Sequence, residues 1–267
     1  KLNYFHTFGE KAKFEAGVQT NLAYRNLNIE SRMYDLNSTQ WQIDPSGTYQ
    51  FDFRNNIYSS YLMYTNQFLG FDYQLGLRAE QTDRLLNQKT LGSDYKYNKI
   101  HLFPSLNAST KISDAQQIQL SYSRRINRPN EFLLNPFPNV NDAYIYSIGN
   151  PGLLPELTHS VEVNYQWITT PVFFSVQTYY RNSENSFSQT QTLESDGRVR
   201  LSFDNIAKSE VYGAEFSSNI TAAQWLKIDP SINLYNSKVS GIYANEQRER
   251  KIFAWSSRLN TTVSFSS

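Results

Sequence analysis

Cysteine is absent from this sequence of 267 residues, so the chain can form neither a disulfide bond nor a thiolate metal site. Neither sign of charge is in excess, because the formal net charge is +1, and this gives no indication of a nucleic-acid partner. No stretch approaches the roughly 18 consecutive apolar residues that a transmembrane helix needs. Phosphate-binding glycine loops and the nucleophile elbow of hydrolases are missing as well. These absences argue against a helical membrane protein, a nucleotide-dependent enzyme and a nucleic-acid-binding protein.

Histidine is scarce, and its three residues lie far apart in the sequence, at His6, His101 and His159. A hydrolase would need a serine or an aspartate together with a histidine on one face of a strand. His101 with Ser105, and His159 with Ser160, are the nearest candidates. A position at the rim of a sheet explains these histidines better than catalysis or metal binding does. We therefore expect no enzymatic activity, no metal site and no cofactor.

Aromatic residues are abundant, at 15% of the chain with 19 Tyr and 17 Phe, and they follow an alternation of period two. One face of segment 161–167 carries Val161, Val163, Tyr165 and Trp167, and the other carries Glu162, Asn164 and Gln166. The same pattern recurs in 14–24, 71–80, 117–124 and 226–234. Such alternation predicts β-strands with one apolar and one polar face. Membrane β-barrels combine this pattern with a low mean hydropathy, here −0.57, since alternate residues face lipid and a wet lumen.

About ten strands are predicted from this periodicity, and residues 1–8 fit the tail of an eleventh. The predicted strands are 13–26, 52–66, 71–84, 97–112, 116–127, 157–168, 172–184, 209–220, 226–238 and 251–265. Short connections near 9–12, 67–70, 113–115, 169–171 and 221–225 alternate with long ones at 27–51, 85–96, 128–156, 185–208 and 239–250. Within the fourth long connection, segment 185–206 fits either a strand extension or a hairpin in a loop. Ten strands could also close by themselves into a narrow barrel.

This alternation of connection lengths is typical of outer-membrane barrels, whose short turns face the periplasm and whose long loops face outside. Aromatic residues lie at or beside the short turns, as in an interfacial girdle: Phe68, Phe71, Tyr73, Trp167 and Trp225. The predicted fold is therefore all-β, an antiparallel up-and-down transmembrane β-barrel of which residues 1–267 form a single, partial domain. A soluble β-protein with ordinary core aromatics is the alternative, but it does not explain the alternation of connections.

One strand ends in a cluster of positive charge in the stretch SYSRRINRPNEFLLNPFP, residues 121–138. Continued alternation places Arg124 toward lipid near the outer rim, where a guanidinium can reach lipid phosphates. It places Arg125 toward the lumen and Arg128 at the end of the strand. The following loop combines several asparagines with Phe132, Phe137, Tyr144 and Tyr146. Aromatic rings and amides suit stacking on a ligand and hydrogen bonding to it, so the ligand-binding candidates are Arg125, Arg128, Phe132, Phe137, Tyr144 and Tyr146.

Three blocks of sequence resemble one known family: HLFPSLNAS (101–109), YSRRINRPNEFLLNPFPNVNDA (122–143) and GNPGLLPELTHSVEVNYQW (149–167). Weaker matches are YQLGLRAEQT (73–82), YYRNSEN (179–185) and FDNIAKSEVYGAEFSSN (203–219). Together they are similar to the outer membrane protein β-barrel family of TonB-dependent receptors, over nearly the whole chain. The resemblance implies a 22-stranded barrel in the outer membrane of a Gram-negative bacterium, closed inside by a plug domain. Energy for uptake then comes through TonB, which pulls on a TonB box ahead of the plug.

Neither a plug nor a TonB box is recognisable in this sequence, which begins at Lys1 and has no signal peptide, so we expect it to be the C-terminal barrel portion of a longer receptor. The implied function is energised uptake of a scarce siderophore, glycan, peptide or vitamin. A passive porin-like channel and a structural or adhesive barrel are the alternatives. The implied partners are outer-membrane lipid and lipopolysaccharide, the protein's own plug and TonB, and, in glycan systems, a surface lipoprotein. Four polar residues of the strands are expected to face the plug: Arg78, Glu80, Glu162 and Asn164.

Overall fold

The computed structural model describes residues 1–140, 142, 144–243 and 246–265, and these form an almost entirely β structure. The long strands are β1 (Leu2–Phe8), β2 (Ala12–Ile29), β5 (Tyr49–Phe68), β6 (Phe71–Gln88), β7 (Ser93–Ser113), β8 (Gln116–Asn127), β11 (Glu156–Ile168), β12 (Val172–Leu193), β13 (Val199–Ala223), β14 (Leu226–Tyr243) and β15 (Glu246–Val263). The short elements are β3 (Arg32–Asp35), β4 (Gln40–Ile43), β9 (Asn139–Val140), β10 (Ile145–Ser147) and the helix α1 (Glu131–Leu134). None of the helical residues described forms a segment long and apolar enough to cross a membrane.

The long strands form one antiparallel meander in chain order, from β1 through β2, β5, β6, β7, β8, β11, β12, β13 and β14 to β15. β3 and β4 form a separate hairpin in the connection between β2 and β5. β9 and β10 belong to the connection between β8 and β11, and β10 pairs in parallel with the start of β13. Among the described residues no pairing joins β1 to β15. The sheet is therefore an open wall, not the narrow closed barrel that the strand count allowed.

All ten predicted strands are confirmed, and the eleventh exists as β1. Two predicted long connections are wrong, because most of 85–96 and 239–250 belongs to paired strands. Within the third, 185–208, the strand extension proposed as one alternative for 185–206 is confirmed, since β12 and β13 continue to pair there. The β6–β7 turn occupies only 89–92 and the β12–β13 turn only 194–198. Among the residues that the structure describes, only the segments 30–48 and 128–155 contain long connections between the strands of the wall. About 9–11 residues of a strand cross the membrane, so β12 and β13, with 22 and 25 residues, extend far beyond it. Water bathes both faces of such extensions, which explains why the apolar–polar alternation does not reveal them.

Directly paired residues share a face of the sheet, and the register confirms the two faces that the alternation predicts. Tyr122, Val161, Tyr180 and Tyr212 form one row across four neighbouring strands. This face carries large apolar side chains that are about 40% exposed or more, among them Leu22, Leu62, Ile100, Leu102, Leu120, Tyr212 and Trp255. A soluble protein rarely exposes so wide an apolar surface, and lipid is the solvent that suits it. The opposite face is polar, and we call it the inner face.

The end of the wall opposite the two long connections carries the expected aromatic residues. Phe68 and Phe71 pair across a two-residue turn of Leu69 and Gly70. Both turn residues have positive φ, at 50° and 82°, which is the geometry of a tight hairpin turn that follows strand twist. About half or more of each side chain is exposed at four of these positions, Phe68, Phe71, Trp167 and Trp225. These rings mark the periplasmic interface of the wall.

We expect Leu120→Arg to destabilise the membrane-inserted protein, because Leu120 lies on the apolar face five residues into β8, near the bilayer midplane. Arginine at this depth costs about 2–4 kcal/mol. Gln119→Arg is the matched control. Gln119 is the neighbour of Leu120 on β8, but it faces inward, so a charge at this position stays in water. Urea unfolding in lipid vesicles measures both variants, and equal losses of stability would contradict the assignment of faces.

Candidate functional site

The connection 128–155, which we call the inward loop, folds back onto the inner face of β5 and β6 near their outer ends. Leu134 and Leu153 of the loop are buried against Phe51, Phe53 and Leu86 of the wall. Burying a leucine side chain contributes about 1.5–3 kcal/mol, so these two residues alone anchor the loop firmly. The inward loop is therefore part of the wall and does not extend freely into solvent.

Local capping shapes the first turn of this loop. The Asn130 side chain accepts a hydrogen bond from the backbone N–H of Leu133 at 3.0 Å, as an N-cap residue does. The backbone N–H of Asn135 closes the turn on the carbonyl of Glu131 at 3.0 Å. Gly149 then passes so close that an added Cβ would lie 2.6 Å from the carbonyl oxygen of Asn135. Only glycine allows this approach, which brings the two arms of the loop together.

Two ion pairs hold the loop to the wall. In the first the loop supplies the arginine, and in the second it supplies the glutamate. Glu80 on β6 is 2% exposed, and both Arg78 and Arg128 bind its carboxylate. Arg128 Nη2 also donates to Thr82 Oγ1 at 3.2 Å. In the second pair, Arg25 of β2 binds Glu131 of the loop. A buried carboxylate needs such partners, so the loop and the wall each supply the countercharge for the other.

Further polar contacts join the same surfaces above the membrane-spanning part, since Arg84 is the fourteenth residue of β6. Arg84 Nη2 donates to the carbonyl of Leu153 at 3.3 Å, and the guanidinium lies 4.8 Å from the centre of the Tyr97 ring. Burial lowers the pKa of Arg84. Gln88 is fully buried and donates to Asn135 Oδ1 at 2.9 Å. The hydrogen bonds of Arg84 to Leu153 and of Gln88 to Asn135 position the loop against the wall.

On the other side of the loop, two asparagine side chains complete the hydrogen-bond ladder of β13. Asn205 Oδ1 accepts from the backbone N–H of Leu154 at 2.7 Å, and Asn205 Nδ2 donates to the carbonyl of Leu154 at 3.0 Å and to that of Asn185 at 2.6 Å. Asn150 Nδ2 donates to the carbonyl of Phe203 at 3.0 Å. The amide of Asn205 thus imitates one residue of a paired strand, in the stretch of β13 between its pairing with β10 and its pairing with β14.

The arms of the inward loop enclose a recess at the outer mouth of the wall. A cavity of about 210 Å³ is lined by four aromatic rings, Tyr49, Phe132, Phe137 and Phe203, and by the amides of Asn135 and Asn139. It shares Ile148, Gly149 and Phe203 with a groove of about 700 Å³ that runs along the outer part of β12 and β13. We call the small cavity the aromatic recess and the larger one the polar groove. Aromatic walls with a few amides are typical of small-molecule sites.

The predicted ligand-binding residues fall into different environments. Phe132 lines the aromatic recess and is 58% exposed. Phe137 lines it too, but it is buried and its ring packs 4.8 Å from that of Tyr49. Arg128 is committed to Glu80. The ligand roles of these three residues remain predictions, and the structure adds a positioning role for Arg128 and Phe137.

The other three candidates lie outside the recess. Tyr144 is 74% exposed. The Tyr146 ring lies below the guanidinium of Arg198 at 5.1 Å. Arg125 is exposed on the inner face opposite Thr158, and it has no hydrogen-bond or ion-pair partner among the described residues. Arg125 is therefore the candidate whose charge is most available to a ligand.

All four residues predicted to face the plug lie on the inner face, as the register requires. The Glu162 carboxylate accepts hydrogen bonds from Ser160 at 3.0 Å, Gln177 at 2.9 Å and Arg181 at 3.2 Å. Asn164 accepts one from Ser175 at 3.1 Å. Glu80 is covered by its arginines, so Arg78, whose side chain is 52% exposed, is the member of that cluster most open to a partner.

The histidines make single contacts with tyrosines. His101 Nε2 lies 2.8 Å from the Tyr97 hydroxyl, and His159 Nδ1 lies 2.9 Å from the Tyr122 hydroxyl. His159 and Ser160 are neighbours on β11, so they point to opposite faces. Within the described part of the chain, no group of three or more acidic, histidine or cysteine side chains is placed to hold a metal ion.

Sequence reasoning missed Tyr49, Asn150, Phe203 and Asn205. Asn150 and Asn205 belong to the quoted blocks GNPGLLPE and FDNIAKSE, so the blocks contained a signal, but no role could be read from them. Tyr49 and Phe203 lie far apart in sequence, and no local pattern indicates that they meet at one recess.

Glu80→Ala should destabilise the folded protein by about 3 kcal/mol, because it leaves the largely buried charge of Arg128 without a partner. Arg128→Ala should cost less, because Arg78 still binds the Glu80 carboxylate. The double variant should lose less than the sum of the two, with a coupling of about 1–3 kcal/mol. Chemical unfolding of the four proteins in detergent gives the coupling. The exposed pair Arg248–Glu246, with both side chains about two-thirds exposed, is the control and should show less than about 1 kcal/mol. Additive losses at Glu80 and Arg128 would show that the pair does not hold the loop.

Asn205→Ala should release the backbone of Leu154, because both hydrogen bonds between the Asn205 side chain and that backbone are lost. Hydrogen–deuterium exchange should show faster exchange across 150–155, by about tenfold or more for the Leu154 amide. Asn219→Ala is the control, since Asn219 on the same strand bonds only Asp229, at 2.8 Å. Unchanged protection of Leu154 in Asn205→Ala would refute the proposed role of this side chain.

Solved structures with a similar fold include two metal transporters and an uptake receptor. The copper transporter OprC has a TM-score of 0.66 at 11% identity, over 86% of this chain and 38% of that one. The FrpB iron transporter from Neisseria meningitidis (F3-3 variant) has 0.56 at 10% identity, over 92% of this chain and 40% of that one. The ferric yersiniabactin uptake receptor FyuA from Yersinia pestis has 0.55 at 12% identity, over 96% of this chain and 44% of that one. This chain thus spans less than half the length of these three proteins, and the likeness concerns the fold.

No curated protein shows significant sequence similarity to the chain. The sequence itself matches the outer membrane protein beta-barrel family over residues 1–267. The match agrees with the two faces of the wall, with the periplasmic aromatic residues and with the resemblance found in the sequence blocks. The apolar face therefore lies against the lipid of the outer membrane, and the chain belongs to the outer membrane protein beta-barrel family.

Proposed function

We propose that this chain forms part of the barrel wall of a TonB-dependent receptor, which imports a scarce ligand across the outer membrane without chemical conversion. The open sheet is the observation that carries the proposal. Exposed backbone groups at the edges of β1 and β15 cannot remain unpaired in lipid, so further strands must complete the barrel. A barrel of about 22 strands has a lumen wide enough for a plug domain.

The inner face supports a plug as its occupant. Arg78 and Arg181 each expose about half of their side chains next to acidic partners, Glu80 and Glu162. Mixed charges that already have partners on the wall favour reversible hydrogen bonding over a permanent apolar interface. We propose that Arg78, Glu80, Glu162 and Asn164 form part of the plug contact, with Arg78 as its most accessible member.

The outer mouth supports ligand capture. The inward loop narrows the mouth on the side of β5 and β6, so a ligand passes Phe132 in the aromatic recess and Arg125 on the inner face. Tyr144 and Tyr146 lie on the route from solvent to these residues. We propose direct ligand contacts for Arg125, Phe132, Tyr144 and Tyr146, and positioning roles for Arg128 and Phe137.

Two partners at the outer rim are part of the proposal. Arg124 faces outward one row above Tyr122, opposite His159, where its guanidinium suits the phosphates of lipopolysaccharide. A surface lipoprotein would find exposed rings on the β3–β4 hairpin, where Tyr34 and Trp41 pack edge to face at 5.5 Å and are 45% and 66% exposed. Both contacts belong to the proposal.

Ligand uptake by cells that express the full-length receptor tests the proposal. Uptake should stop when a protonophore collapses the proton-motive force or when TonB is deleted, because energy reaches the receptor only by that route. Arg78→Glu should reduce uptake severalfold through the plug contact, with Lys227→Glu beside the periplasmic turn as the charge-reversal control. Uptake that continues without the proton-motive force would indicate a passive channel instead.

A further inference from the structure

His101 lies at the base of the inward loop, next to the buried carboxylate that holds the loop to the wall. It pairs directly with Glu80 in the β6–β7 ladder, so the two side chains share the inner face at a Cβ separation of about 5 Å. Its Nε2 atom lies 2.8 Å from the Tyr97 hydroxyl. The rings of Tyr97 and Phe103 flank the imidazole along β7, each with its centre 6.4 Å away. The imidazole is therefore held beside Glu80, where it remains partly exposed.

The Glu80 carboxylate has little attraction left for a further cation. Arg78 and Arg128 already bind it, so its single negative charge is more than balanced. Arg128 comes from the loop, and its Nε atom is buried without a hydrogen-bond partner among the described residues. A buried donor without a partner costs free energy. The ion pair therefore holds the base of the loop less tightly than a fully satisfied one would.

Positive charge dominates the surroundings of His101. The charged and titratable groups on the elements packed around it are Arg78, Glu80 and Arg84 on β6, Tyr97 and Lys99 on β7, Arg124 and Arg125 on β8, and Arg128 and Glu131 in the inward loop. Both carboxylates already have arginine partners, since Glu131 is bound by Arg25. Lys99 and Arg125 have no ion-pair partner among the described residues. A proton on His101 thus adds positive charge where cations already outnumber carboxylates.

We infer that His101 is a pH sensor, which loosens the base of the inward loop when it gains a proton. Imidazole changes its charge between about pH 5 and 8. Arg128 repels the protonated ring, and the release of Arg128 from Glu80 relieves this repulsion. The released loop therefore binds the proton more readily than the docked loop does, so docking weakens as the pH falls and is complete when the ring is uncharged. This inference concerns the mouth of the wall, and it holds for energised and for passive transport alike.

Hydrogen–deuterium exchange of the full-length receptor in detergent, at about pH 5.5 and about pH 7.5, tests the inference across the titration range of imidazole. Each rate is divided by the intrinsic rate of an unstructured peptide at the same pH. The amides of Leu133 and Asn135 form hydrogen bonds within the loop, and their protection should fall by about threefold or more at the lower pH. Protection in the paired strands β14 and β15 should not change.

Three variants assign the response to one residue. His101→Gln should remove the fall and keep the protection seen at neutral pH, because glutamine can hydrogen-bond Tyr97 but takes up no proton. His101→Lys carries its charge at both pH values, so it should show the lower protection at both. His159→Gln is the matched control. His159 makes the same kind of contact with a tyrosine, Tyr122 at 2.9 Å, but it lies on the apolar face, so the response should persist.

An unchanged response in His101→Gln, its loss in His159→Gln as well, or full protection in His101→Lys would overturn the inference. So would equal or greater protection of the unmodified receptor at the lower pH. Uptake that ignores the proton-motive force, with the His101 response preserved, would contradict the proposed function and leave this inference intact. Energised uptake by a receptor whose loop shows no such response would do the reverse.

Discussion

The structure depends on one constraint: every backbone N–H and C=O group that enters lipid must be paired within the sheet. Paired strands give side chains a period of two, so a single alternation produces the lipid-facing rows of Leu120 and Tyr212 and the inner rows of Glu80 and Glu162. The same pairing continues above the membrane in β12 and β13, although the backbone groups there could form hydrogen bonds with water instead. There the strands become a scaffold for the outer mouth.

The inward loop converts this scaffold into a site. It meets the wall through apolar residues, through the buried carboxylate of Glu80 and through the amide of Asn205. These contacts lie on different sides of the loop, so they fix its position between β6 and β13. Buried charge pairs add little net stability, but they define which of several apolar packings is adopted. The aromatic recess exists because the loop is held in this one arrangement.

Most of the fold could be predicted from the sequence, because lipid on one face and water on the other impose an alternation that can be read directly. The strand ends could not, since Gln88 and Thr190 belong to paired strands whose two faces are both polar or covered. The site was predicted in part. The sequence identified Phe132 as an aromatic residue and Arg125 as a charged residue near the rim. Other members of the site could not be identified in this way, because they acquire their roles only through contacts with residues distant in sequence: Tyr49, Phe203 and Asn205.

The absence of cysteine allows the most direct test of the central claim, which is that the inward loop is fixed between β6 and β13 of the wall. Tyr146 pairs with Arg200 in the parallel ladder between β10 and β13, and the next residue, Leu201, points to the opposite face. Cysteines introduced in place of Tyr146 and Arg200 should therefore form a disulfide readily on intact cells, while cysteines in place of Tyr146 and Leu201 should not. Equal cross-linking of the two pairs, or none in either, would contradict the account.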